Sequence, residues 1–187
     1  MSSIQKIVVL GPESTGKSTL CEALAKHYDT EWCKEYAREY LAANGTNYTY
    51  EQLLTIAKGQ LANEDEATEK LLIQIKNHGS NKLIIDTDMY VMKVWSEYVF
   101  NNCDPFVLEQ INKRAYQLYL LCDIDLPWVK DEMREYPNEA PRKELFMIYK
   151  DLLMNQKTPW AIVSGIGEDR IKQAIKIIDE QLNRTNK

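Results

Sequence analysis

Short unbroken apolar runs alternate along the chain with longer stretches whose apolar residues recur every three or four positions. Lys6-Ile7-Val8-Val9-Leu10 is such a run, and its β-branched content predicts a buried strand. From Ser18 to His27 the spacing changes, with Leu20, Ala23 and Leu24 at helical intervals. Thr30 to Cys33 predicts a short second strand, and Glu35 to Ala43 the start of a helix. Tyr50 to Ile75 predicts a long helix broken near Gly59. Lys82 to Asp86 predicts a central strand, followed by helices over Asp88 to Phe100 and Pro105 to Arg114. Tyr116 to Cys122 and Trp160 to Val163 complete the strands, and Lys143 to Asn155 and Glu168 to Leu182 complete the helices. Five strands separated by helices predict an α/β fold, a parallel sheet covered on both faces. Pro127 to Arg142, charged and carrying three prolines, fits neither pattern and makes a poor core element.

Composition narrows the classes. At 187 residues the chain suits one domain with a single core. A 44% hydrophobic and 27% charged content is that of a folded soluble protein. The net charge of -5 argues against broad nucleic-acid binding, which needs a basic face. Cys21, Cys33, Cys103 and Cys122 show no paired spacing, and only His27 and His78 could join them, so free thiols are expected and zinc is not. No apolar stretch precedes the first strand and none approaches a membrane span, so a cytoplasmic location is expected.

Gly11-Pro12-Glu13-Ser14-Thr15-Gly16-Lys17-Ser18 satisfies G-x-x-x-x-G-K-[ST] between a strand and a helix, the context a P-loop requires. Gly11 and Gly16 allow the turn and let backbone N–H groups reach phosphate oxygens. Lys17 supplies a point charge near the β and γ phosphates, and Ser18 a hydroxyl for Mg²⁺. The helix that follows adds its positive end. Gly11, Ser14, Thr15, Gly16, Lys17, Ser18 and Thr19 are thus the expected seat of a nucleoside triphosphate, ATP with Mg²⁺. The fold expected is that of a P-loop NTPase.

Leu83-Ile84-Ile85-Asp86-Thr87-Asp88 ends a buried strand in two carboxylates. Ligands in open parallel sheets sit at the carboxyl ends of the strands. Asp86 is placed to hold Mg²⁺ or to accept the proton of an attacking hydroxyl. Asp88 could take that base role, bind the acceptor, or cap the next helix.

Gly-Pro-Glu-Ser-Thr-Gly-Lys-Ser-Thr-Leu at 11–20, Glu35-Tyr36-Ala37-Arg38-Glu39, Asp86-Thr87-Asp88, and Trp128-Val129-Lys130-Asp131 with Arg134 follow one another in that order. Together they resemble the ribosylnicotinamide kinase domain of NadR and the wider family of ATPase/kinase domains linked to NAD metabolism, over nearly the whole chain. The resemblance implies transfer of the ATP γ-phosphate to the 5′-hydroxyl of nicotinamide riboside or a related nucleoside. It also implies that Glu35 and Arg38 line the acceptor side and that Trp32 or Tyr36 stacks on a cationic ring. Where the family has tryptophan directly before Glu-Tyr, this chain has Lys34, and no tyrosine stands around Gly59-Gln60 to complete an aromatic sandwich.

In kinases of this size a segment such as 127–142 commonly forms a small lid over the nucleotide. Arg134 and Arg142 would there neutralise charge on the transferring phosphoryl group. Ser164-Gly165-Ile166-Gly167 follows the last strand, where related kinases wrap the adenine, although a plain turn reads the same. A GTPase switch should show Asn-Lys-x-Asp after the fourth strand, where Cys122-Asp123-Ile124-Asp125 stands. A mechanical ATPase needs an arginine finger and a helical subdomain, for which little chain remains. A nucleotide-binding module without catalysis stays open beside the kinase.

Overall fold

The computed structural model describes residues 4–75, 80–129 and 139–184. Five strands, β1 (Gln5–Leu10), β2 (Trp32–Cys33), β3 (Lys82–Asp86), β4 (Leu118–Cys122) and β5 (Trp160–Val163), form one sheet. Its order is β2-β3-β1-β4-β5, and every pairing is parallel. Between them run α1 (Lys17–His27), α2 (Tyr36–Asn44), α3 (Tyr50–Ile75), α4 (Met89–Phe100), α5 (Pro105–Lys113), α6 (Glu139–Met154) and α7 (Glu168–Arg184). Parallel strands need crossovers, and these helices supply them on both faces.

Alternation along the strands sorts the core into two layers. Val8, Leu10, Leu83, Ile85 and Leu121 face α3, α4 and α6, packing on Leu71, Val94, Leu145 and Leu153. Ile7, Val9, Ile84, Leu118 and Leu120 face α1 and α7, packing on Leu20, Leu24, Ala174 and Ile178. A third apolar cluster, with Leu41, Ile56, Met92 and Val107 at its heart, joins α2 to α5 beyond the sheet. No helix among the described residues is long and apolar enough to cross a membrane.

β1 lies at the centre of the sheet, where strand order reverses, so the turn leaving its carboxyl end opens into the crevice that such folds use for ligands. Val9 pairs with Asp86, which brings the end of β3 level with the start of that turn.

Two expectations need correction here. α6 begins at Glu139, so the end of the presumed lid, Arg142 included, is helical. Residues 130–138, with Asp131 and Arg134, lie outside the described residues. α3 also runs unbroken through Gly59. That glycine serves packing, since a Cβ there would stand 2.1 Å from the Tyr36 ring. In an open helix, alanine would gain about 1 kcal/mol over glycine. Gly59→Ala should instead lose about 1–2 kcal/mol net, because overpacking a filled site costs ~1–3 kcal/mol. Denaturant unfolding of the variant reads the sign directly.

Candidate active site

The phosphate loop folds as its sequence demands. Gly16 precedes α1 at φ 75, a left-handed conformation that glycine adopts without strain. Inside the loop the Thr15 hydroxyl donates to the Pro12 carbonyl at 2.7 Å, and Lys17 Nζ donates to the same oxygen at 3.0 Å. Ser18 and Thr19 are exposed at the amino end of α1. Unpaired N–H groups and a helix dipole thus face the crevice, as an anion site requires.

The loop is braced from outside by two buried arginines. Arg142 in the first turn of α6 donates to the carbonyls of Ser14 and Leu126 at 3.4 and 3.1 Å. Arg170 in the first turn of α7 donates to the carbonyls of Thr15, Asp123 and Gly165 and to Asp125 Oδ1, at 3.0, 3.1, 3.0 and 2.7 Å. The Val129 N–H donates to Ser14 Oγ at 3.0 Å, which anchors the start of the β4–α6 connection on the loop. Arg142, expected to meet the nucleotide, sits behind the loop and does not line the cavity.

A cavity of about 400 Å³ opens in front of the loop. Gly11 through Thr19 form one end. Glu35 and Arg38 also line it, and Leu41, Val91, Trp95, Tyr98, Leu145 and Tyr149 form an apolar and aromatic wall. The structure therefore brings Glu35 and Arg38 together with the phosphate loop. It does not bring Trp32 or Tyr36 to that wall. Trp32 pairs with Ile84 in β2 and packs on the α1 face of the sheet, the side away from the cavity. Tyr36 is spent on packing over Gly59 and beside Tyr40.

The aromatic wall comes instead from α4 and α6. Val91, Trp95 and Tyr98 lie four and three residues apart on α4, and Leu145 and Tyr149 four apart on α6, so each set shares a helix face. Those spacings were available in the sequence, but α4 is apolar almost all round and no period singled out this face. Trp95 Nε1 donates to the Tyr48 hydroxyl at 2.7 Å, with the two rings edge to face at 4.9 Å. That bond fixes the indole and occupies its only polar group.

Besides Glu13 within the loop, three carboxylates flank it, and they differ. Asp86 is fully buried, and its Oδ2 accepts from the Ser18 hydroxyl at 2.6 Å. Its Oδ1 is buried without a hydrogen-bond partner. Burial raises this carboxyl well above its ordinary value, and the Glu35 charge adds to the rise, while Lys17 opposes it. An orphaned, desolvated acceptor beside a helix-terminal hydroxyl is a costly arrangement without a cation and a suitable one for Mg²⁺. Asp88 is also buried but well partnered: Oδ1 accepts from the N–H groups of Tyr90 and Val91, and Oδ2 from the Tyr119 hydroxyl. Burial pushes it to about 7 against those bonds. It caps α4 and does not line the cavity. Glu35 is half-buried on the cavity wall, where its Oε1 accepts from the Thr87 hydroxyl at 3.3 Å.

Beyond β5, the N–H of Ser164 is taken by Gln173 and that of Gly165 by Asp125. Both hold the turn itself. Arg170, which ties this turn to the phosphate loop, was not foreseen, because in a helix pattern it reads as one more surface charge.

Residues 6–170 match the family model AAA_28, described as an AAA domain. The trifunctional NAD biosynthesis/regulator protein NadR of Escherichia coli (strain K12) is 25% identical over 184 residues, covering 96% of this chain and 43% of that protein. A crystal structure of NadR in complex with NR superposes at a TM-score of 0.77 with 21% identity, over 95% of this chain and 49% of that one. Deoxyadenosine kinase from M. mycoides superposes at 0.58 with 15% identity, over 94% and 100%. The chain spans about half the length of the NadR proteins it matches. It belongs to the AAA_28 family, with the P-loop fold that NadR and deoxyadenosine kinase share.

Proposed function

We propose that the protein is an ATP- and Mg²⁺-dependent kinase of a small nucleoside, and that nicotinamide riboside is its acceptor. One observation carries this reading. One cavity is lined at once by the phosphate loop, by Trp95, Tyr98 and Tyr149 of α4 and α6, and by Glu35 and Arg38. Its volume of about 400 Å³ falls within the range of small-molecule sites. The Trp95 indole N–H is occupied by Tyr48, so what Trp95 offers a ligand is its ring face, which attracts a cationic heteroaromatic such as a pyridinium. The likeness to NadR, solved with NR, favours that acceptor over other nucleosides.

In this reading the amides of 11–19 cradle the polyphosphate and Lys17 moves from Pro12 onto the γ-phosphate. Ser18 and Asp86 would hold Mg²⁺, which keeps most of its remaining coordination for phosphate oxygens and water and supplies charge neutralisation when bound. Two protein ligands are enough for such an ion, and Asp86 Oδ1 is the acceptor it would satisfy. Catalysis is then positioning and charge stabilisation. Arg134, within the presumed lid segment 127–142 and outside the described residues, would add charge on the phosphoryl group.

A panel of nucleosides and nucleoside monophosphates, each incubated with ATP and Mg²⁺, tests the proposal. Nicotinamide riboside should turn over fastest. Turnover of thymidine or a monophosphate with nicotinamide riboside inert would move the acceptor and keep the kinase. ATP hydrolysis indifferent to every acceptor would remove the kinase.

A further inference from the structure

The geometry points to the Tyr149 hydroxyl as the group that binds a secondary hydroxyl of the acceptor's sugar and so helps to select the acceptor. The inference rests on the kinase reading and deepens it by naming the residue that reads the sugar.

Three phenols among the described residues are buried, those of Tyr116, Tyr119 and Tyr149. Two of them spend their hydroxyls on the protein: Tyr116 donates to Glu64 at 2.9 Å, and Tyr119 to Asp88 at 3.1 Å. The other aromatic polar groups of the cavity wall are spent likewise. Trp95 Nε1 donates to Tyr48, and the Tyr98 hydroxyl donates to Glu144 at 3.0 Å. Tyr149 is the exception. It is 5% exposed and lines the cavity, yet its hydroxyl makes no hydrogen bond with any described residue. Nor is it one of the polar atoms sealed off without a partner, so the surface it keeps opens on the cavity. A donor left unmet inside such a wall costs stability that only a ligand group or water recovers.

Position narrows what that group is. Burial holds the Tyr149 phenol above its ordinary pKa, and the charges of Asp88 and Glu35 add to the rise. Those two carboxylates mark one place. Asp88 opens α4 directly after β3, and Glu35 accepts from the Thr87 hydroxyl at the same strand end. Asp86 pairs there with Val9 of β1, which sets the place level with the start of the phosphate loop. A nucleoside that presents its 5′-oxygen to the loop puts its sugar next to that strand end, and its ring farther out.

Chemistry narrows it again. The phenol stays protonated and donates. The two carboxylates would repel an anionic group, and an apolar group would leave the donor unmet. A hydroxyl satisfies both conditions, since it accepts from Tyr149 and donates to a carboxylate beside it. Tyr149 is also fixed in place, because it belongs to the core cluster with Val91, Val94 and Leu145. Its hydroxyl therefore meets a ligand with little ordering cost.

The test starts with wild-type turnover on the acceptor that the panel selects; no turnover of any acceptor overturns the kinase reading and this inference together. Tyr149→Phe removes an oxygen and no hydrogen bond, so its thermal melt without ligand should match or exceed that of wild type. With turnover in hand, the variant should raise acceptor KM about tenfold, with kcat within about threefold. Nucleotide affinity, measured by calorimetry, should not move. The 2′-deoxy and 3′-deoxy forms of the same acceptor identify the group. Wild type should discriminate against one of them about tenfold in kcat/KM, and Tyr149→Phe should lose that discrimination. An unchanged acceptor KM in Tyr149→Phe would overturn the inference and leave the kinase intact. So would a raised KM with the discrimination kept, which would make Tyr149 part of the wall's shape alone. A melting temperature several degrees lower would mean that the hydroxyl is bonded within the protein, and would overturn the inference as well.

Discussion

Lys17→Ala should lower kcat on the order of 10³-fold while weakening magnesium–nucleotide binding only about tenfold. The asymmetry follows from where the charge sits. Without nucleotide, Lys17 Nζ rests 3.0 Å from the Pro12 carbonyl inside the loop. The loop's shape does not hang on that contact, because Thr15, Arg142 and Arg170 hold the same turn by other bonds. Main-chain amides therefore still seat the ground-state polyphosphate in the variant. What would be lost, on the proposed kinase reading, is the ammonium set against charge as it develops on the transferring group. Steady-state kinetics with calorimetric nucleotide binding separate the two effects. A variant that binds nucleotide a thousandfold worse yet turns over normally at saturation would make Lys17 an anchor and nothing more.

Asp86→Asn should move activity and stability in opposite directions. Turnover falls by roughly 10³-fold, since the charge that would hold Mg²⁺ is gone and a metal clamp supplies several kcal/mol in such transfers. The unliganded protein, however, becomes more stable. Burial raises the Asp86 carboxyl above the value of about 3.9 expected unfolded, so ionising it costs more in the folded chain. That cost is absent below the unfolded value, grows as pH rises toward the folded one, and is complete above it. Asparagine removes it and can still accept from Ser18. In thermal melts without nucleotide or magnesium, the variant should exceed wild type at pH 8 by roughly 2–4 °C for each kcal/mol relieved. The gap should close toward pH 4. Equal melting curves at pH 8 would mean that Asp86 is already neutral or partnered in the unliganded protein.

The fold was legible wherever the signal was local. The β1 run, the glycine-lysine turn and the amphipathic α1 are contiguous in sequence, and they stand where their pattern puts them. What failed to show was set by contacts distant in sequence. Gly59 looks like a helix breaker until the Tyr36 ring is seen against it, 23 positions away. Trp32 sits near the motif but points to the far side of the sheet, because it shares the face of Ile84. Trp95 belongs to no motif and lines the cavity, because it shares a face of α4 with Val91 and Tyr98. Asp88 was ambiguous between cap and acceptor contact, and the N–H groups of Tyr90 and Val91 show the cap. Arg170 could not be found from pattern, since only the meeting of three loops makes its burial necessary.

That meeting has a consequence for variation in the chain. One guanidinium joins the Thr15 turn, the segment after β4 and the turn after β5, so changes at sequence positions some 150 apart share a single strut. Substitutions in those three turns belong to one cooperative unit, and their effects on the loop will not add. Drift in the seemingly remote carboxyl-terminal helix is therefore constrained by the need to keep a phosphate cradle in shape.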